Sequence, residues 1–216
     1  MTGHQDPTVS FFITKAFHGL RKIKPPKESR KPITPDILLT LVHTLSDLHI
    51  TAYQKILFKA MFLTAFFALC RISEITQTSA NHNLHLNDLN FNEGQCSFSV
   101  TFRSFKHSKC PVTNHIYMQD PKDLCPVAAL QSYVGVRGGV PGPLFALDSG
   151  APVTRQLFVS VLEAVIKKSN LNKMSLNTHS FRIGGATYAA RRGMTQLQIQ
   201  RLGRWSSNAY MKYLRW

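Results

Sequence analysis

Acidic residues are scarce in this sequence: 11 Asp and Glu stand against 26 Lys and Arg among 216 residues, a formal charge of +15. Nothing in the sequence supplies a carboxylate cluster for Mg²⁺, which argues against a two-metal nuclease centre. Cysteine is equally sparse. Cys70, Cys96, Cys110 and Cys125 are far apart and form no C-x-x-C pair, which argues against a disulfide framework or a zinc site. Reduced thiols in an intracellular protein are the simpler reading. The longest apolar run, Ile56 to Cys70, is interrupted by Lys59 and is too short to span a bilayer. The first residues, Met1-Thr2-Gly3-His4, lack the basic and apolar segments of a signal peptide.

What the chain does have is a globular composition, with 44% hydrophobic and 10% aromatic residues, enough for a sizeable core. The length fits one generous domain, or one domain and part of another. A positive excess of this size makes a field that attracts polyanions, nucleic acid foremost. Charge alone does not separate binding a nucleic acid from acting on it.

Residues 1–30 read as a separate piece. Arg21-Lys22-Ile23-Lys24-Pro25-Pro26-Lys27-Glu28-Ser29-Arg30-Lys31-Pro32 carries six basic residues and three prolines, a basic linker that cannot continue a helix. A new unit starts at residue 31. Thr34 is an N-cap, Pro35 takes the first helical position, and Ile37, Leu38, Leu41, Val42, Leu45 and Leu48 form one helical stripe. The stretch from Ala52 to Ile75 is apolar nearly all round and predicts one central buried helix. Gln95 to Arg103 and His115 to Met118 predict two strands joined by a basic turn. Helices are expected from Pro126 to Val136 and from Thr154 to Lys168, then over 179–192, 195–202 and 206–214. The expected fold class is α+β, mainly α, with a small antiparallel sheet.

Three segments place polar residues where packing alone would not. Arg71 ends the apolar helix, with Glu74 three residues on; a buried arginine needs a partner, and the alternative is a surface pair on one helical face. His179 and Arg182 share a face near a helix N-terminus, which offers N–H groups to a phosphate; the alternative is a capping histidine beside a solvated arginine. Gly184 and Gly185 weaken that helix by about 1 kcal/mol each, so something is expected to pack very close there. The third segment is Leu202-Gly203-Arg204-Trp205-Ser206-Ser207-Asn208-Ala209-Tyr210-Met211-Lys212-Tyr213.

In this order the segments resemble the tyrosine recombinases, the family of site-specific DNA recombinases and phage-type integrases. The resemblance rests on Leu69-Cys70-Arg71-Ile72-Ser73-Glu74, on a basic hairpin with Lys106, on His179-Ser180-Phe181-Arg182, and on Leu202-Gly203 with Tyr213 ten residues after the glycine. It covers about residues 31–216. The wording around Arg71 and Gly203-Arg204-Trp205 is most similar to the eukaryotic transposon branch, as in DIRS-type retroelements and Cryptons. One position departs from the pattern. The family usually has His or Trp directly after the glycine, whereas here Arg204 comes first and Trp205 second, so either Arg204 supplies the substrate contact of this fifth catalytic position or Trp205 moves into it by a small helix shift.

The resemblance implies DNA cleavage and rejoining through a 3′-phosphotyrosyl intermediate, without metal, ATP or other cofactor. Tyr213 is the expected nucleophile, with Tyr210 its rival. Arg71 and Arg182 are the expected phosphate clamp, His179 a donor to the phosphate or base for the tyrosine, and Lys106 the acid for the leaving 5′ oxygen, with Lys109 a second candidate. Glu74 is expected to orient Arg71 or His179. Arg103, Lys109, Arg191, Arg192 and Arg201 are expected on the DNA. The implied partners are double-stranded DNA and further copies of the chain in a dimeric or tetrameric synapse, with no membrane. Residues 1–30 resemble the tail of the family's N-terminal DNA-binding domain plus a linker, so the chain reads as a piece of a longer recombinase. The branch implies a nuclear location, or otherwise an intracellular one. Two alternatives remain: a type IB topoisomerase, which uses the same chemistry, and an inactive or truncated domesticated DNA-binding protein derived from such a recombinase.

Overall fold

The computed structural model describes residues 30–77, 83–92, 94, 96–104, 110–119 and 121–215. Most of the expected basic linker therefore lies outside the described residues, as do Lys106 and Lys109. Helix α1 (Pro35–Leu45) starts where its sequence dictates. The Thr34 hydroxyl accepts from the Ile37 N–H at 3.3 Å, and Pro35 fills the first position, where a missing N–H costs nothing. Helix α2 (Ala52–Phe67) opens with a reciprocal cap between Thr51 and Gln54 and is buried on nearly every side from Leu57 to Phe66.

The single helix expected over 52–75 is corrected to two. The chain leaves the helix at Ala68, and Leu69 takes a left-handed φ of 48°. A four-residue helix, α3 (Ile72–Ile75), then starts with Arg71 at its N-cap. Apolar periodicity could not reveal this break, because Ala68, Leu69 and Cys70 are all buried and look like a continued helix.

The sheet has three antiparallel strands in the order β1 (Leu89–Asn92), β2 (Ser97–Phe102) and β3 (Val112–Tyr117). Phe98 and Val100 face the core, opposite Ile116 and Leu89 respectively on the neighbouring strands. Sequence pattern alone had missed β1, whose Leu-Asn-Phe-Asn is too short to show a period. Helices α4 (Pro126–Arg137) and α5 (Arg155–Lys168) follow, the latter capped by Thr154 as expected. Then come α6 (Thr178–Arg191) and α7 (Gln196–Gly203), and a 3₁₀ helix over Asn208–Tyr213 replaces the α-helix expected at 206–214.

Helix α2 is the hub, packed against α1, α4 and α6. Phe62 of α2 stacks edge-on with Phe158 of α5 and tilted against Phe181 of α6, at 5.5 and 5.2 Å between centroids. Aromatic contacts of this kind fix how the helices sit, and so fix what their ends can reach. Among the described residues no helix is long and apolar enough to cross a membrane.

Candidate active site

Four segments meet in one open cleft of about 600 Å³: the Cys70–Ile72 turn, the start of α6, the Arg204–Ser207 turn and the 3₁₀ helix over Asn208–Tyr213. Arg71 enters from the α2–α3 turn. Its backbone N–H donates to Glu74 Oε2 at 2.6 Å and its Nη1 to Glu74 Oε1 at 2.9 Å. The Arg71–Glu74 pair foreseen from the sequence is thus present, but it is no surface pair. Glu74 is 2% exposed while Arg71 lines the cleft.

His179 stands in the first turn of α6, where its N–H donates to Asn177 Oδ1 at 2.9 Å. Its ring lies 4.9 Å from that of Tyr213, and the Tyr213 ring also lies 4.9 Å from that of Trp205. Arg182, one turn on, is 1% exposed beneath these rings. Its guanidinium lies 4.1 Å from the Trp205 ring centroid and 5.6 Å from that of Tyr213. Nη1 donates to the Leu69 carbonyl and Nη2 to the Gly203 carbonyl, while the buried Nε has no protein partner. Burial, reinforced by the nearby Arg204 and Arg71 charges, pulls the Arg182 guanidinium below the usual arginine range. A buried donor with two cationic neighbours and no anion of its own is a site short of negative charge.

Trp205 reaches this position because residue 203 is glycine. A β-carbon on Gly203 would lie 1.8 Å from the indole ring. Arg204 goes the other way. It adopts a left-handed φ of 55° and ψ of 46°, and its side chain turns inward to full burial. Its nitrogens are met by Glu74 Oε2 at 2.7 Å and Oε1 at 3.3 Å, and by the carbonyls of Leu202, Leu69 and Ala68 at 2.8, 3.0 and 3.3 Å. The Phe102 ring covers it at 3.6 Å. Of the two candidates after Gly203, the geometry therefore brings Trp205 to the other cleft residues and withdraws the Arg204 guanidinium from them. Burial acts to raise the Glu74 pKa, but Arg204, then Arg182 and Arg71, outweigh it and hold the carboxyl below its ordinary value.

Tyr210 is 1% exposed, packed in a second small core with Ala189 and Ile199, so its hydroxyl does not line the cleft. The expected DNA contacts are scattered. Arg103 is exposed and paired to Asp88 at 2.5 Å. Arg191 and Arg192 close the far end of α6, beside a different cavity, and Arg201 lies exposed on α7. At about 1.5 Å per residue, Arg191 stands roughly 14 Å along α6 from Arg182. Sequence reasoning passed over Lys212, Thr178 and Ser207, which line the cleft, and Arg30 and Arg155, which line an adjoining cavity with His179. Their signal was adjacency: Lys212 precedes Tyr213 and Thr178 precedes His179. Among the described residues no group of three His, Cys, Asp or Glu side chains is placed to hold a metal ion.

No protein-family model and no curated protein matches the sequence. Solved structures match the fold. XerH site-specific recombinase, in a post-cleavage complex with palindromic difH substrate, superposes with a TM-score of 0.66 at 14% identity, over 86% of this chain and 50% of that one. XerA recombinase gives 0.65 at 18% identity, over 98% and 72%. The Tn1549 transposon integrase in complex with circular intermediate DNA gives 0.60 at 16% identity, over 95% and 71%. The chain has the fold of the tyrosine recombinase catalytic domain, a mainly helical body with a small three-stranded antiparallel sheet. It spans half the length of the XerH chain.

Proposed function

We propose that the chain is the catalytic part of a site-specific DNA recombinase that cleaves and rejoins DNA through Tyr213. The observation that carries this reading is the convergence of Tyr213 with His179, Trp205 and Arg71 around one cleft, with Arg182 buried beneath the Trp205 and Tyr213 rings, from three segments distant in sequence. A packing role explains each residue singly but not their meeting. The +15 charge supports double-stranded DNA as the substrate.

In the proposed step Tyr213 Oη attacks a phosphorus, the P–O5′ bond breaks, and a 3′-phosphotyrosyl bond forms. The tyrosine proton passes to His179, and the departing 5′ oxygen takes a proton from Lys106. Arg71 and Arg182 offset the charge that grows on the non-bridging oxygens, for which planar forked donors suit better than lysine. Rejoining is the same step reversed with a new 5′ hydroxyl. The phosphotyrosyl bond conserves the energy of the broken ester, so the cycle needs no nucleotide hydrolysis. Further copies of the chain would hold the second DNA duplex beside the first and cleave its strands in the same way. The resemblance to DIRS and Crypton sequences supports an origin in a mobile element and a nuclear location, and residues 1–30 as the end of a preceding DNA-binding domain.

One observation favours the second reading, a DNA-binding relic that no longer cleaves. The Arg182 fork is turned onto the Leu69 and Gly203 carbonyls under Trp205 and Tyr213, and must exchange these partners to meet a phosphate. Incubation of the chain with a nicked DNA substrate that traps the cleaved state separates the two. A covalent protein–DNA adduct is expected, and its absence supports the relic.

A further inference from the structure

Arg204 stands where the family pattern has His or Trp, yet its side chain is fully buried. Its Nε, Nη1 and Nη2 donate between them to five protein oxygens. A buried ion pair is weak evidence for stability, since apolar residues of similar volume often hold a fold as well. What distinguishes this pair is where its acceptors lie. Ala68 and Leu69 belong to the turn that carries Arg71, and Glu74 to the short helix α3 that Arg71 caps.

That turn is an unfavourable one. Leu69 has a φ of 48°, a conformation an L-residue with a bulky side chain keeps only when its surroundings hold it there. Two arginines supply the hold: the Leu69 carbonyl accepts from Arg204 Nη2 at 3.0 Å and also from Arg182 Nη1. Glu74 is bridged in the same way. Oε1 accepts from Arg71 Nη1 and Arg204 Nε, and Oε2 from the Arg71 N–H and Arg204 Nη2. One end of the Arg71 guanidinium is thereby tied to a carboxylate that Arg204 pins, which sets the direction of the rest of the fork into the cleft. Arg182 donates to the carbonyl of Gly203, the residue preceding Arg204. The Leu202 carbonyl, which Arg204 Nη1 binds, also accepts from the Asn114 side chain of β3 at 2.7 Å, so the hairpin is fastened to the same point.

We infer that Arg204 is a positioning residue: it sets Arg71 through Glu74 and the Leu69 turn, and never touches the phosphate itself. The inference rests on the recombinase reading and deepens it. The test uses the full chain and the trapped-cleavage assay, with single-turnover cleavage rate and half-saturating DNA concentration measured separately. Arg204→Lys keeps the charge but loses most of the five bonds, so cleavage falls about tenfold or more while half-saturation stays within about twofold. Arg71→Lys lowers the rate by itself. If Arg204 acts through Arg71, the double variant Arg71→Lys/Arg204→Lys is no slower than Arg71→Lys, within about threefold.

Parental cleavage by Arg204→Lys overturns the inference, and so do losses that multiply in the double variant. Should Arg204→Lys not fold, Glu74→Gln keeps the volume and the arginine, and carries the same expectation: slower cleavage, unchanged half-saturation, and no added loss on Arg71→Lys. Parental cleavage by Glu74→Gln likewise overturns it. Failure of the parent chain to form any adduct overturns the recombinase reading instead, and is seen before any variant is compared.

Discussion

Gly184 lies directly against the Ile33 carbonyl: a β-carbon on Gly184 would sit 1.8 Å from that oxygen. Gly185, next along α6, would meet the Phe66 carbonyl at 2.1 Å. The two glycines let α6 press between the entering chain and α2, where the Ile33 N–H also donates to the Ser180 carbonyl at 3.1 Å.

Gly184→Ala is therefore expected to destabilise the fold by about 1–3 kcal/mol, because backbone rather than a mobile side chain must yield. Gly135→Ala is the control. It sits exposed within α4, where an added β-carbon would meet no other part of the fold within 4 Å, and should gain roughly 0.5–1 kcal/mol from helix propensity. Urea unfolding of both variants measures the contrast, and an unchanged Gly184→Ala midpoint contradicts the close approach.

Thiol chemistry reads the same burial. Desolvation pushes the Cys70 thiol up to about 12, a rise that Arg204 only partly opposes. A raised pKa leaves the thiol protonated and unreactive at pH 8. Cys96 and Cys110 are exposed, so a thiol reagent should label those two in the native protein. Cys70 and Cys125 should react only after unfolding, and fast native labelling of Cys70 speaks against the packing of the Arg71 turn.

Much of this was legible in the sequence because it depends on local chemistry. Thr34-Pro35 and Thr154 mark helix starts by capping, and the Gly184-Gly185 pair announces a close contact before its partner is known. The break at Leu69 was not legible, since it depends on two arginines more than 100 residues away. The same holds for Arg204. Position after Gly203 suggested a substrate contact, but its left-handed backbone and the buried Glu74 decide the direction of its side chain. Counting from Gly203 singles out Tyr213, which lines the cleft, whereas Tyr210 is buried in the second small core.

DNA binding should weaken steeply with salt, given the +15 charge. The expected slope of log affinity on log salt is about −0.9 for each phosphate neutralised. Titration across a range of salt concentrations measures it, and a slope near zero removes nucleic acid from the account.

Replacing Arg182 with Lys keeps the charge and loses the fork. Cleavage should fall by about a hundredfold or more, as for other preorganised donors to a developing oxyanion. DNA affinity should change little, because one buried cation contributes little to the outer field. Cleavage at the parental rate by Arg182→Lys contradicts the clamp.

The proposed chemistry turns on which tyrosine becomes joined to DNA. Tyr213→Phe removes one oxygen from a ring packed beside His179 and Trp205, so fold and DNA affinity should survive. Phe offers no group able to attack phosphorus. Labelled nicked DNA is incubated with the parent chain, with Tyr213→Phe and with Tyr210→Phe, in the presence of EDTA, and protein-linked label is read on a denaturing gel. An adduct is expected for the parent and for Tyr210→Phe, and none for Tyr213→Phe. An adduct that persists in Tyr213→Phe, or one that never forms on the parent chain, contradicts that chemistry.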